Sequence, residues 1–227
     1  MGQTWERLAF LHWPVDPGLL ADVLPPGVEP DIYDGSAWVG VTPFEIHSLR
    51  LRRTLPVPFV SSFPELNVRT YVTSAGKPGI WFLSLDTANR LAVHAARKAY
   101  RLPYHHARQS LRRQEGWFEF ASLRDGARFA ARYRPDGPVY EAKRGSFEHF
   151  MAERYCLYTV DDDLRLLRGD IHHRPWPLQV AETEVAGNTM ARPYGIELTG
   201  APRAHCAERL DVVFWSLTPD VPGRPVA

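Results

Sequence analysis

Ser84–Ala107, SLDTANRLAVHAARKAYRLPYHHA, decides the fold, because it carries the strongest helix signal in a chain otherwise patterned as strands. Asp86 can accept hydrogen bonds from the open N–H groups of a helix beginning at Thr87. Leu91, Ala92, Ala95, Ala96 and Ala99 then form a narrow stripe able to lie close to a sheet, while Arg90, His94, Arg97 and Arg101 line another side. Pro103 biases Leu102 away from helical geometry, so the helix ends there. Tyr104, His105 and His106 therefore open the next segment directly beyond a helix end, a rigid junction suited to carrying a site.

Upstream, Ile80–Leu85 reads as the strand feeding this helix, and residues 65–73, ELNVRTYVT, read as its neighbour. Strand residues alternate between two faces. Leu66, Val68, Thr70 and Val72 share one face; Glu65, Asn67, Arg69 and Tyr71 share the other and present an acid, an amide, a guanidinium and a phenol in one row. Thr4–Trp13 is a further strand, closed by Pro14, and Asp16-Pro17-Gly18 starts a short helix stopped by Pro25-Pro26-Gly27. Asp34-Gly35 is a hairpin signal. Ala37–Leu51 is long for one strand, and Pro43 within it implies a bulge or an edge position. Arg50–Pro64, rich in proline and arginine, reads as a surface loop able to act as a lid or partner contact.

Downstream the pattern is a meander: residues 106–115, Trp117–Arg124, a turn at Asp125-Gly126, and Ala127–Arg134, with antiparallel pairing expected throughout. Ser146 can cap a second helix, FEHFMAERY. Tyr155–Val160 and Leu164–His173 flank an acidic turn, Asp161-Asp162-Asp163, which lacks the glycine and distal glutamate of a calcium loop. Leu210–Leu217 is a last buried strand, and Pro219–Ala227 a loose tail. Many strands, two principal helices and no regular strand–helix alternation point to an α+β chain built on a predominantly antiparallel β-barrel.

The 227 residues, 44% hydrophobic and 12% aromatic, suffice for one sizeable core and a single domain over residues 1–227. A formal net charge of +1 supplies no field for nucleic acid or an anionic membrane surface. Lys77, Lys98 and Lys143 are the only lysines. Cys156 and Cys206 fit neither a disulfide framework nor a zinc pattern. With no secretory leader and no apolar run of membrane-spanning length, a cytoplasmic protein is expected, one that binds a small molecule and can also form a homo-oligomer.

Taken together, HWPVDPGLLADVLPPGVEPD, DGSAWVGVTPF, ELNVRTYV, the stretch from Ser84 to LPYHHA, GSFEHFMAERY and HHRPW resemble the DUF2071 or YqjF-like family, over most of the chain. That family is related to acetoacetate decarboxylases, so the resemblance implies a large antiparallel β-barrel with an internal pocket. In those decarboxylases an arginine, five residues and Pro-Lys-Lys carry the catalytic lysine. Laid over this chain, the arginine falls on Arg97, the proline on Pro103, and the two lysines on Tyr104 and His105. The resemblance thus implies a pocket without the amine that forms the Schiff base, since a phenol cannot form an imine with a ketone. It also matches the family's catalytic-strand glutamate to Glu65, while the N-terminal arginine of the decarboxylases falls on Pro14.

Glu65 and Tyr104 are accordingly expected as acid/base groups, and Arg69, Arg97, His105, His12 and Trp13 as substrate contacts, with no metal and no cofactor. Arg154, Tyr155 and Trp176 are further wall positions. Read from the residues alone, Glu65 and Arg69 suit an ion pair on a solvated face better than a pocket, and Tyr104 suits a structural phenol as well as a donor to a substrate. His105/His106 and His172/His173 each offer one ligand at a time, because strand neighbours face opposite ways. The alternative reading of the whole is a non-catalytic interaction module with a collapsed pocket.

Overall fold

The computed structural model describes residues 1–50 and 62–220. Its elements in chain order are β1 (Gly2–Val15), α1 (Pro17–Ala21), β2 (Glu29–Pro30), β3 (Ala37–Arg50), β4 (Phe63–Ser74), β5 (Lys77–Thr87), α2 (Arg90–Tyr100), β6 (Tyr104–His106), β7 (Arg108–Gln114) and β8 (Trp117–Arg124). There follow β9 (Ala127–Tyr140), α3 (Phe147–Ala152), β10 (Cys156–Val160), β11 (Leu166–His172), β12 (Leu178–Asn188), β13 (Arg203–Phe214) and β14 (Thr218–Pro219). The α+β reading holds: few helices sit on one large, mostly antiparallel sheet. The Arg50–Pro64 loop reading falls almost wholly on 51–61, outside the described residues.

The sheet is curved and ring-like. In the order β11-β10-β5-β4-β3-β1-β13 its strands curl until the two ends meet, with Ile171 opposite Phe214 and His172 opposite Val213. The remaining limb, β12-β9-β8-β7, turns back so that Phe120, Phe129 and Tyr133 pack on Leu11, Val41, Leu66 and Val68. Both faces of β4 are therefore covered, one by this outer layer and the other by the interior of the ring.

Several local readings are corrected by tertiary contacts. Asp86 does not cap α2. It is fully buried near the end of β5, where both its oxygens accept from Arg124 Nε at 3.0 and 3.1 Å. Asn89 caps the helix instead, its Oδ1 accepting from the N–H groups of Leu91 and Ala92. The later start sets the phase, so Ala92, Val93 and Ala96 pack inwards whereas Leu91 is 69% exposed. The meander β7-β8-β9 is antiparallel as expected, but β5 pairs in parallel with β6 near Leu85–Thr87 and with β10 near Ile80–Trp81. The crossover through α2 returns the chain in the direction it left, which requires parallel pairing.

Pro43 lies in a central strand between β1 and β4, not at an edge. Its missing N–H falls where β1 bulges between Glu6 and Leu11, with Arg7 at φ 55°. Asp34 and Gly35, at φ 52° and 74°, form the expected tight turn, closed by a bridge from Tyr33 to Ser36, but β2 pairs with β4 and not with β3. The tail begins later than expected. Thr218–Pro219 pair with β11, and Asp220 accepts from Ser74 Oγ at 2.7 Å and Arg168 Nη1 at 3.0 Å. Among the described residues, no helix is long and apolar enough to cross a membrane.

Candidate functional site

Inside the ring lies a cavity of about 390 Å³, walled by the inner faces of the strands and by α2 and the end of α3. The period-two row of β4 puts Glu65, Asn67 and Arg69 on its wall, all three buried. Tyr104 reaches the same space from β6. Its position follows from the helix end: Arg101 adopts φ 50°, Arg97 Nε donates to the Tyr104 carbonyl at 2.6 Å, and Leu85 N–H donates to the Pro103 carbonyl at 3.0 Å. With Tyr104 opposite Leu85 and Leu85 opposite Asn67, the three side chains share the inner face.

The Tyr104 hydroxyl donates to Glu65 Oε2 at 3.0 Å. Burial away from water raises the Glu65 pKa to about 8; the Tyr104 hydrogen bond opposes the rise and the charge of Asp86 adds to it. Near pH 7 the carboxyl is therefore largely a neutral acid, able to accept from Tyr104 on one oxygen and hold a proton on the other. Burial, then Glu65, pushes Tyr104 well above the ordinary phenol range, so it stays a donor. Tyr104→Phe should leave the carboxyl without its donor. The expected cost is about 1–3 kcal/mol by chemical denaturation, with the Glu65 titration moved to still higher pH.

Arg69 makes no ion pair with Glu65 or with any other carboxylate among the described residues. It is 3% exposed, its guanidinium lies 5.1 Å from the Phe10 ring centre and 5.6 Å from that of Tyr71, and its Nε has no hydrogen-bond partner. Aromatic faces supply part of the lost hydration, but they do not neutralise the charge. Arg154, also on the cavity wall, differs: its Nη1 donates to Asp31 Oδ2 at 2.5 Å and its Nε to the Phe150 carbonyl at 2.6 Å.

The other expected contacts separate. His12 is fully buried behind the cavity, with Nε2 2.6 Å from the Tyr71 hydroxyl. Burial, then the charge of Arg69, holds it well below the usual histidine pKa. Gly40 makes its room, since a Cβ there would lie 2.8 Å from His12 Nε2. Trp13 points to the opposite face, in the outer core, and donates to the Gly200 carbonyl at 3.0 Å. Arg97 and His105 are likewise outside the cavity, on the wall of a separate open groove of about 560 Å³. These three readings fail as cavity contacts for one reason, strand and helix phase. Arg154 and Trp176 do line the cavity, joined by His173, Gln3 and Asn67, while Tyr155 is exposed. The buried Asp86–Arg124 pair was hidden by the capping pattern. Among the described residues no group of three or more His, Cys, Asp or Glu is arranged to hold a metal ion.

The family DUF2071, described as an uncharacterized conserved protein, matches residues 2–211. The chain belongs to the DUF2071 family. Its relatives include the uncharacterized protein YqjF of Bacillus subtilis (strain 168), 42% identical over 221 residues, which cover 96% of this chain and 91% of that one. Among solved structures, the enduracididine biosynthesis enzyme MppR complexed with pyruvate superposes with a TM-score of 0.69 at 13% identity, covering 96% of this chain and 89% of that one. Acetoacetate decarboxylase from Legionella pneumophila gives 0.65 at 12% identity, covering 96% and 86%. At such identities the likeness is one of fold, so the DUF2071 chain shares the acetoacetate decarboxylase-like architecture.

Proposed function

We propose that this chain binds a small carbonyl-bearing carboxylate inside the ring and acts on it by non-covalent acid/base chemistry. Arg69 takes the carboxylate, and Glu65 with Tyr104 moves a proton at the carbonyl or the adjacent carbon. The observation that carries this reading is Arg69 itself, a buried guanidinium with no anion beside it, on the same wall as a carboxyl raised to about 8. An isolated buried charge is costly, and a ligand carboxylate accepting from it removes that cost while gaining two charge-assisted hydrogen bonds.

Chemistry without a lysine imine is supported by the described lining side chains, none of which is a lysine. Lys98 is exposed on α2, and Lys77 pairs with Asp170 at 3.2 Å. The pyruvate in the MppR complex supports a keto acid as the class to try first. The collapsed-pocket alternative finds no support in a cavity of about 390 Å³.

The test is thermal stabilisation by a panel of 2-oxo and 3-oxo acids against their methyl esters. Acids should raise the melting temperature and esters should not. Borohydride treatment in the presence of each acid should leave the protein mass unchanged. Indifference to every acid, or a reduced adduct on any lysine, would overturn the proposal.

A further inference from the structure

The cavity's polar groups are concentrated on β4, with Gln3, Arg154 and His173 contributing from other elements. Glu65, Asn67 and Arg69 follow one another along β4, with Tyr104 beside Glu65, and most of the remaining lining is apolar, with Phe63 and Phe82 flanking the row and Trp5, Trp176 and Phe214 further round the ring. Helix α2 closes the space with Ala92, Ala96 and Ala99. Besides letting the helix pack on the core, these small side chains leave volume in the cavity that larger ones would fill.

The size of the space matters for its ligand. At about 390 Å³ it lies in the range of pockets that enclose drug-sized ligands, and pyruvate would leave most of it empty. An apolar wall gains nothing from an empty volume and gains with each methylene it covers. The charge of Arg69 and the acid Glu65 lie four residues apart on the same strand, so the ligand's head and the site of chemistry lie on β4 and its tail meets the apolar remainder of the lining.

Resting on the carboxylate reading above, we infer that the ligand is an amphipathic acid, a carboxylate bearing an extended alkyl or aryl tail, and not a three-carbon keto acid. The carboxylate meets Arg69, and the tail lies along the apolar lining, which includes the alanine face of α2.

Calorimetric titration of the full chain with a homologous series tests this: pyruvate, 2-oxohexanoate, 2-oxooctanoate and 4-phenyl-2-oxobutanoate, each beside its amide. Affinity should rise about threefold to fourfold per added methylene, and acids should exceed amides by at least tenfold. Ala96→Leu, which fills the tail space from the helix, should weaken the long acids at least tenfold while leaving pyruvate unchanged. Circular dichroism and the melting temperature of that variant report whether it folds, and a folded variant binding long acids as the parent does would overturn the inference. Pyruvate binding as tightly as the long acids would overturn the tail inference and leave the carboxylate reading standing. Amides binding as well as acids, or no member binding at all, would overturn both.

Discussion

Arg69→Met should make the ligand-free protein more stable and at the same time abolish its response to carboxylates. The two effects have one origin. The guanidinium is buried, its Nε is unpartnered among the described residues, and the rings of Phe10 and Tyr71 lie beside it. Replacing buried, paired charges with well-packed apolar side chains ranges from neutral to stabilising by about 1–4 kcal/mol, an unpaired charge lies at the favourable end, and loss of the ring contacts returns up to about 2 kcal/mol. The net gain is about 1–2 kcal/mol, which for a chain of this size is roughly 3–6 °C in melting temperature. Binding of an acid that takes two charge-assisted hydrogen bonds from the guanidinium should fall by about 100-fold or more. A structural arginine behaves in the opposite way: its removal lowers the melting temperature and leaves ligand affinity alone. Differential scanning calorimetry with and without acid reads both signs, and a destabilised variant with undiminished binding would refute the assignment.

The row that carries this prediction was legible in ELNVRTYVT, because strand geometry alone puts Glu65, Asn67, Arg69 and Tyr71 on one face. That this face is dry was not legible. An alternating polar and apolar strand ordinarily turns its polar face to water, and only the meeting of β11 with β13, far along the chain, encloses it. The same division runs through the errors. Asp86 has the local pattern of a cap, yet its partner Arg124 stands 38 residues away, and a buried ion pair outcompetes a cap that Asn89 can supply. Arg97 and His105 lie close in sequence to Tyr104, but the turn of the helix and the pleat of β6 send them to the groove outside. Local periodicity sets which side chains travel together; the direction they face is set by contacts of long range.

Glu65→Gln should change the pH dependence of stability more than any other single substitution in the cavity. The folded carboxyl stands at about 8 against an ordinary value of 4.5, so below about 4.5 both folded and unfolded chains hold the proton and burial costs nothing extra. Between about 4.5 and 8 the unfolded chain has released its proton while the folded chain retains it. Stability therefore falls as pH rises through this window and levels off above about 8, with a total loss on the order of 5 kcal/mol. Asp86, raised to about 6 by burial against the pull of Arg124, adds a loss of the same sign at the acidic end, but it is present in both proteins and cancels in the difference. Glutamine keeps the shape and an oxygen for the Tyr104 hydroxyl but cannot ionise. The variant should match the parent near pH 4 and exceed it by several kcal/mol at pH 9, as read from guanidinium midpoints across that range. Turnover of any substrate should vanish in the same variant, because the amide has no proton to exchange. Parallel stability curves for parent and variant would mean that the buried carboxyl is already ionised in the folded chain, and a neutral acid at Glu65 would no longer be available to the chemistry.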